Sequence, residues 1–168
     1  GCADYAFYTH IIKSLKPDTG RAAMLWPNGV LFRESEKQLR EKIIQTDIIE
    51  CVISLGPGLF YNSPMPACII LLNCNKRTEL KGKILFINAY DELITTRNHA
   101  YLNDINIMNI YNSYISLKGV SNITTYIASI EEVEDKDFNL NVPVYIEKEF
   151  KDLNLSREIS KWQSFRKE

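Results

Sequence analysis

Several signatures are missing from this chain of 168 residues, and each absence narrows its reading. No apolar run approaches the roughly 20 residues that cross a bilayer, so the sequence reads as non-membrane. The start, GCADYAFYTHIIKSLK, has neither the basic flank nor the long apolar stretch of a signal peptide. It also lacks an initiator Met, and the expectation is that Gly1 marks a cut, natural or artificial, in a longer chain. Charge of one sign is lacking too: 20 Lys and Arg stand against 21 Asp and Glu, a net charge of −1. A protein that grips nucleic acid by charge alone is therefore excluded, though one that leaves most phosphate contacts to a partner is not. The cysteines number only four, with no C-x-x-C pair, and the two histidines, His10 and His99, lie far apart. No metal is expected, and a reduced, cytoplasmic setting fits. Finally, no G-x-G-x-x-G, no G-x-x-x-x-G-K-[ST], no H-E-x-x-H and no G-x-S-x-G occurs.

What is present is a soluble α/β pattern of ordinary apolar content, 45%, long enough for one domain with a real core. Tyr5, Tyr8, Ile11, Ile12 and Leu15 recur at helical spacing, which predicts a helix over Asp4 to Leu15. Lys16 to Gly20 stops it. RAAMLWP reads as a buried strand, and Pro27-Asn28-Gly29 as a turn. Ser35 is a candidate cap for a helix over ESEKQLREKIIQTD, with Leu39, Ile43 and Ile44 on one face. IIECVISL, ACIILLN and KILFINA read as three further strands, with Cys51 and Cys68 as small buried hydrophobes. Strands alternating with helices predict an α/β sheet. Two strands with no helix between them predict an antiparallel edge. Asp91 to Asn103 reads as loop, Ile105 to Leu117 as helix, and TYIASIEEVEDKDFNLNVPVYI as short and mixed. Residues 147–168, with Phe150, Leu153, Ile159, Trp162 and Phe165, read as a charged amphipathic helix or tail beyond a main unit of residues 1–146.

The candidate chemistry lies in SLGPGLFYNSPMPACIILLN, residues Ser54 to Asn73. A Gly-Pro-Gly loop presents Phe60 and Tyr61 among residues that continue neither helix nor central strand. Taken alone, this pair admits two roles: packing or anchoring the loop, or stacking on a flat ligand such as an unpaired or extruded base. The acidic pairs Glu131-Glu132 and Glu134-Asp135 read as solvated surface. His10 reads as structural or exposed, and His99 sits in a polar loop with no identifiable catalytic partner.

GRAAMLWPNGVLFR, IIECVISLGPGLFYNSPMPACIILLN, KGKILFINA and DFNLNVPVYI, in that order, resemble the modification (M) subunit of type I restriction-modification systems. The resemblance runs from about Asp4 to Ile146. It implies the rear half of a class I, Rossmann-like, S-adenosylmethionine-dependent methyltransferase sheet, with an antiparallel edge and a C-terminal helical extension. It also implies an adenine-specific DNA methyltransferase whose cofactor-binding glycines and catalytic Asn-Pro-Pro-aromatic motif lie upstream. Neither motif occurs here, so this chain alone is expected to be inactive. Asn141-Val142-Pro143-Val144-Tyr145 lacks the second proline, matches a late segment of the family, and is not assigned as catalytic. By position, Phe60 matches the aromatic that stacks on the flipped base, with Tyr61 and Asn62 on the pocket rim. The implied partners are DNA, a specificity subunit and a restriction subunit, with self-association expected of a fragment. The terminal helix either docks on the specificity subunit or packs back on its own domain. Two other readings remain: a non-catalytic assembly or binding module of a DNA-modification complex, and a different α/β nucleotide-dependent enzyme.

Overall fold

The computed structural model describes residues 3–60, 63–96 and 99–146. Helix α1 (Asp4–Ser14) leads into strand β1 (Arg21–Pro27), helix α2 (Lys37–Gln45) and strands β2 (Ile49–Leu55), β3 (Ala67–Asn73) and β4 (Lys83–Ala89). A two-stranded hairpin, β5 (Ile94–Thr95) and β6 (Ala100–Tyr101), precedes helix α3 (Asp104–Ser116), strand β7 (Thr124–Ser129) and the short helix α4 (Ile130–Asp135). The main sheet runs β1-β3-β2-β4-β7. Strand β3 is antiparallel to both β1 and β2, β2 and β4 are parallel, and β7 is antiparallel to β4. The three parallel strands β1, β2 and β4 therefore all end at one edge of the molecule.

The four strands expected from apolar runs are all present. The antiparallel pair around the aromatic loop is also present, but β3 lies inside the sheet, and the antiparallel strand at its edge is β7. Residues 94–101, read as loop, contain the β5–β6 hairpin. The expected terminal helix over 147–168 lies outside the described residues.

Alternation splits the core into two faces. One holds Met24, Val52, Ile70, Ile84 and Phe86 under α1, α2 and the segment Phe138 to Ile146. The other holds Cys51, Ile53, Leu55, Leu85 and Ile87, with Ile110 and Tyr114 of α3 packed on it. Fully burying such side chains stabilises by about 1.5–3 kcal/mol each. Cys51 and Cys68 are buried as expected, and burial pushes the Cys68 thiol up to about 12 and the Cys51 thiol well above its usual value.

Two local expectations fail. Ser35 is not a cap: a 3-10 turn at Glu34–Glu36 precedes α2, whose first residue follows Glu36 with no side-chain cap. Leu39 is 46% exposed, and Arg40 is buried in its place. Arg40 Nε donates to the Phe138 carbonyl at 2.7 Å, and its Nη1 donates to the Arg33 carbonyl at 3.0 Å. These bonds help to hold Asp137 and Phe138, consecutive residues at φ 60° and 54°. Left-handed non-glycine backbone costs on the order of 1–3 kcal/mol per residue, so it persists only where its surroundings fix it.

Candidate functional site

Ligands of open α/β sheets bind beyond the carboxyl ends of the parallel strands. In this molecule three segments meet there: the turn at Asn28 after β1, residues 56–60 and 63–66 after β2, and residues 90–96 and 99 after β4. The middle loop is tied on both sides. The Asn28 N–H donates to the Pro66 carbonyl at 3.5 Å, and the Ala100 N–H donates to the Gly58 carbonyl at 3.1 Å. Two glycines make the tie possible. A Cβ on Gly56 would lie 2.3 Å from the Tyr90 carbonyl oxygen and from Leu93 Cδ2. Gly58 has φ +80°, a conformation that side chains resist.

Phe60 stands at the tip of this loop. Its carbonyl accepts from the Ser63 N–H at 3.2 Å, and the residue is 36% exposed. A core-packing role would bury the ring, whereas here it remains partly open. Tyr61 and Asn62 lie outside the described residues. Beside the loop is a cleft of about 520 Å³ lined by Pro57, Gly58, Pro64, Tyr90, Leu93 and His99, among others. Thr96 Oγ1 lies 3.3 Å from His99 Nδ1, and the His99 ring is tilted against Tyr101 at 5.9 Å between centroids. His99 thus belongs to a site wall, which its sequence context did not show. His10 is exposed on α1. Glu131, Glu134 and Asp135 are exposed, while Glu132 is half-buried, accepts from Lys136 Nζ at 2.9 Å and from Tyr126 at 3.1 Å.

At the opposite end of the sheet lies a charged cluster that sequence reading missed. Glu50 is 1% exposed. Its Oε2 accepts from Tyr114 at 2.8 Å and from Asn73 Nδ2 at 3.1 Å, and its Oε1 lies 3.4 Å from Arg77 Nε. A register shift between Ile49 and Cys51 leaves Glu50 out of the β2–β3 pairing and turns it toward α3. Arg77 also donates to the Tyr114 and Ile115 carbonyls, which fixes the end of α3. Nearby, Lys76 Nζ contacts Asp47 and the Lys83 carbonyl, and burial holds its pKa below the usual value despite Asp47. The signal available in the sequence was a carboxylate within an apolar run, which must find a partner when buried.

Among the described residues no group of His, Cys, Asp and Glu could hold a metal ion, and no helix is long and apolar enough to cross a membrane. A dinucleotide-type cradle needs a glycine-rich turn from a strand into a helix. Here β1 leads into a 3-10 turn at Asn28–Leu31, and β2 into the Gly-Pro-Gly loop. Neither is a glycine-rich turn from a strand into a helix.

The chain is similar to known proteins over most of its length. It is 42% identical over 130 residues to the type I restriction enzyme MjaVIII methylase subunit of Methanocaldococcus jannaschii, covering 75% of this chain and 22% of that protein. It is 31% identical to the HindI methylase subunit of Haemophilus influenzae, covering 87% of this chain and 34% of that protein. Its structure superimposes on the type I restriction-modification methyltransferase subunit from Streptococcus thermophilus with a TM-score of 0.78 at 33% identity, over 87% of this chain and 31% of that one. The chain thus spans between about a fifth and a third of the relatives it matches. Its sheet is part of a class I methyltransferase fold. Residues 1–152 match the family of N-6 DNA methylases, and the chain belongs to that family.

Proposed function

We propose that this chain is the rear portion of the methyltransferase subunit of a type I restriction-modification system, and that it supplies the wall against which a flipped adenine stacks. The observation that carries this reading is the position of Phe60. It stands half-open on a clamped loop, at the carboxyl ends of the parallel strands, in a chain of the N-6 DNA methylase family. Stacking on an aromatic is worth about 1–3 kcal/mol per base and offsets much of the few kcal/mol that extrusion costs. Phe60 holds the ring by its face, with Tyr61 and Asn62 on the rim. The methyl donor of the intact subunit is S-adenosylmethionine, bound by residues outside this chain.

The free edge of β1 supports a continuing sheet. Among the described residues no strand pairs with that edge, and Leu25 on β1 is 53% exposed. A neighbouring strand carrying the Asn-Pro-Pro-aromatic motif would pair with that edge. Left open, the same edge favours self-association of the isolated chain. The near-neutral charge fits a subunit that leaves sequence recognition and most phosphate contacts to a specificity subunit, with a restriction subunit as further partner in the cytoplasm. Residues 147–168 are the proposed docking element for the specificity subunit.

The test begins with the coding DNA upstream of Gly1. An in-frame Asn-Pro-Pro-aromatic motif preceded by a glycine-rich strand-turn is expected. The full-length subunit, assembled with its specificity subunit, should then transfer tritiated methyl to adenine in DNA. A start codon beside Gly1 with no such motif would instead leave a non-catalytic assembly module.

A further inference from the structure

The cleft on the far side of the Phe60 loop is separate from the place where the proposed catalytic motif would sit. That motif would adjoin the free edge of β1, whereas the cleft lies beyond β2 and β4, with Leu93 against Gly56 and Ala100 against Gly58. Strands in a sheet are about 4.8 Å apart, so β2 and β4 lie roughly 10 and 14 Å from β1 across the order β1-β3-β2-β4. Along stacked DNA, at about 3.4 Å per nucleotide, that is about three or four steps. The Phe60 loop therefore stands between two compartments, and a DNA strand entering one can reach the other.

The chemistry of the walls selects the occupant. Pro57, Pro64 and Leu93 give flat apolar surface, and Tyr90, 37% exposed, adds an aromatic ring. Asp91 lines the same cleft, together with Thr96 and His99. A carboxylate repels a phosphate but accepts a hydrogen bond from an exocyclic amine, as Asp does from cytosine. A hydroxyl and an imidazole can complete the edge of the same base. About 520 Å³ is ample for one nucleobase with its sugar.

We infer that this cleft binds a second unstacked base, one that carries an amino group and lies within about four nucleotides of the methylated adenine. This inference rests on the proposed function, and it adds a second contact point. Tyr90 stacks on that base and Asp91 accepts from its amine. The DNA is thus held on both sides of the Phe60 loop.

The experiment uses the full-length subunit assembled with its specificity subunit. 2-Aminopurine, which brightens when unstacked, is placed in turn at the methylated position and at each position up to five nucleotides either side. Two positions should brighten: the methylated one, and one other within about four nucleotides. Tyr90→Ala should change the signal at the second position only, and raise KM for DNA about tenfold, more than it lowers kcat. Asp91→Asn should weaken binding when the second base carries an amine, and lose that preference when it does not. Brightening at the methylated position alone overturns the inference. So does a Tyr90→Ala variant that acts on the methylated position as Phe60→Ala does, because the cleft would then be part of the target-base pocket. If the wild-type assembly methylates no DNA, the proposed function fails first, and the fluorescence scan does not enter.

Discussion

The two ends of the sheet are built in opposite ways. Where the parallel strands begin, Glu50 Oε2 accepts from Tyr114 and Asn73, Arg77 lies in ion-pair range of Glu50 Oε1, and Lys76 contacts Asp47 and a backbone carbonyl. Where the strands end, Phe60, Tyr90 and Tyr101 are all more than a third exposed, and Tyr90 lines an open cleft. The polar groups at the closed end are used to hold α3 on the sheet. At the open end the rigid parts are backbone ties, at Gly58 and Asn28, and the side chains are left available. Binding sites built this way sit on a firm scaffold with loops that carry the contacts.

Alkali should strike both ends together, and with the largest effect. Cys51 and Cys68 are held protonated by burial, with folded pKa values above the usual 9.0. Their contribution is fully present below pH 9 and is lost as pH rises above it, because the unfolded state releases the protons first. At pH 10.5 the loss from Cys68 is about 2 kcal/mol, and Cys51 adds a loss in the same direction. Tyr5, pushed up to about 12, and Tyr8 add to it above their usual 10.0. Lys76, with its pKa lowered, opposes the trend. Urea unfolding at pH 8 and pH 10.5 measures the difference; unchanged stability would remove the buried-thiol account.

Glu50→Ala attacks the closed end alone. It leaves Arg77 and Tyr114 without their carboxylate, at a cost of about 3 kcal/mol. Arg77, and Arg21 at 3.8 Å from the same carboxylate, both reach solvent in part, which keeps the cost at the low end of the range for a broken buried pair. Equilibrium unfolding should show that loss; a change under about 0.5 kcal/mol would mean the cluster is incidental. Gly56→Ala attacks the floor of the open end. The added methyl meets the Tyr90 carbonyl at 2.3 Å, and overpacking of this kind costs about 1–3 kcal/mol. It should lower DNA affinity as well as stability, since Tyr90 and Leu93 must shift. Phe60→Ala should have the smallest effect on folding, under about 1 kcal/mol, because the ring is partly exposed.

Much of this contrast was legible in the sequence. Apolar runs located β1 to β4, and the tyrosine-isoleucine spacing located α1. Phe60 was singled out because an aromatic beside Gly-Pro-Gly has no secondary structure to serve, and its ring is 36% exposed. Other features depend on neighbours distant in the chain. The strand β7 reads TTYIAS, a pattern too short and polar to separate from loop until it pairs with β4. Arg40 is buried because the Phe138 carbonyl, 98 residues away, accepts from it, while helical spacing alone favoured Leu39. The bulge that turns Glu50 toward α3 is a property of the β2–β3 register. The cleft needs the hairpin at 94–101 to meet the loop at 56–66, and nothing in either segment announces the meeting.

The most direct test of the central claim replaces Phe60 in the full-length subunit, assembled with its specificity subunit, by Ala and by Trp. The rate of adenine methylation and urea stability are measured on the same preparations. The account predicts that Phe60→Ala loses about tenfold or more in kcat/KM with stability nearly unchanged, and that Phe60→Trp keeps most of the activity because any flat ring can stack. Equal activity in all three proteins, or a loss that merely follows stability, would contradict it.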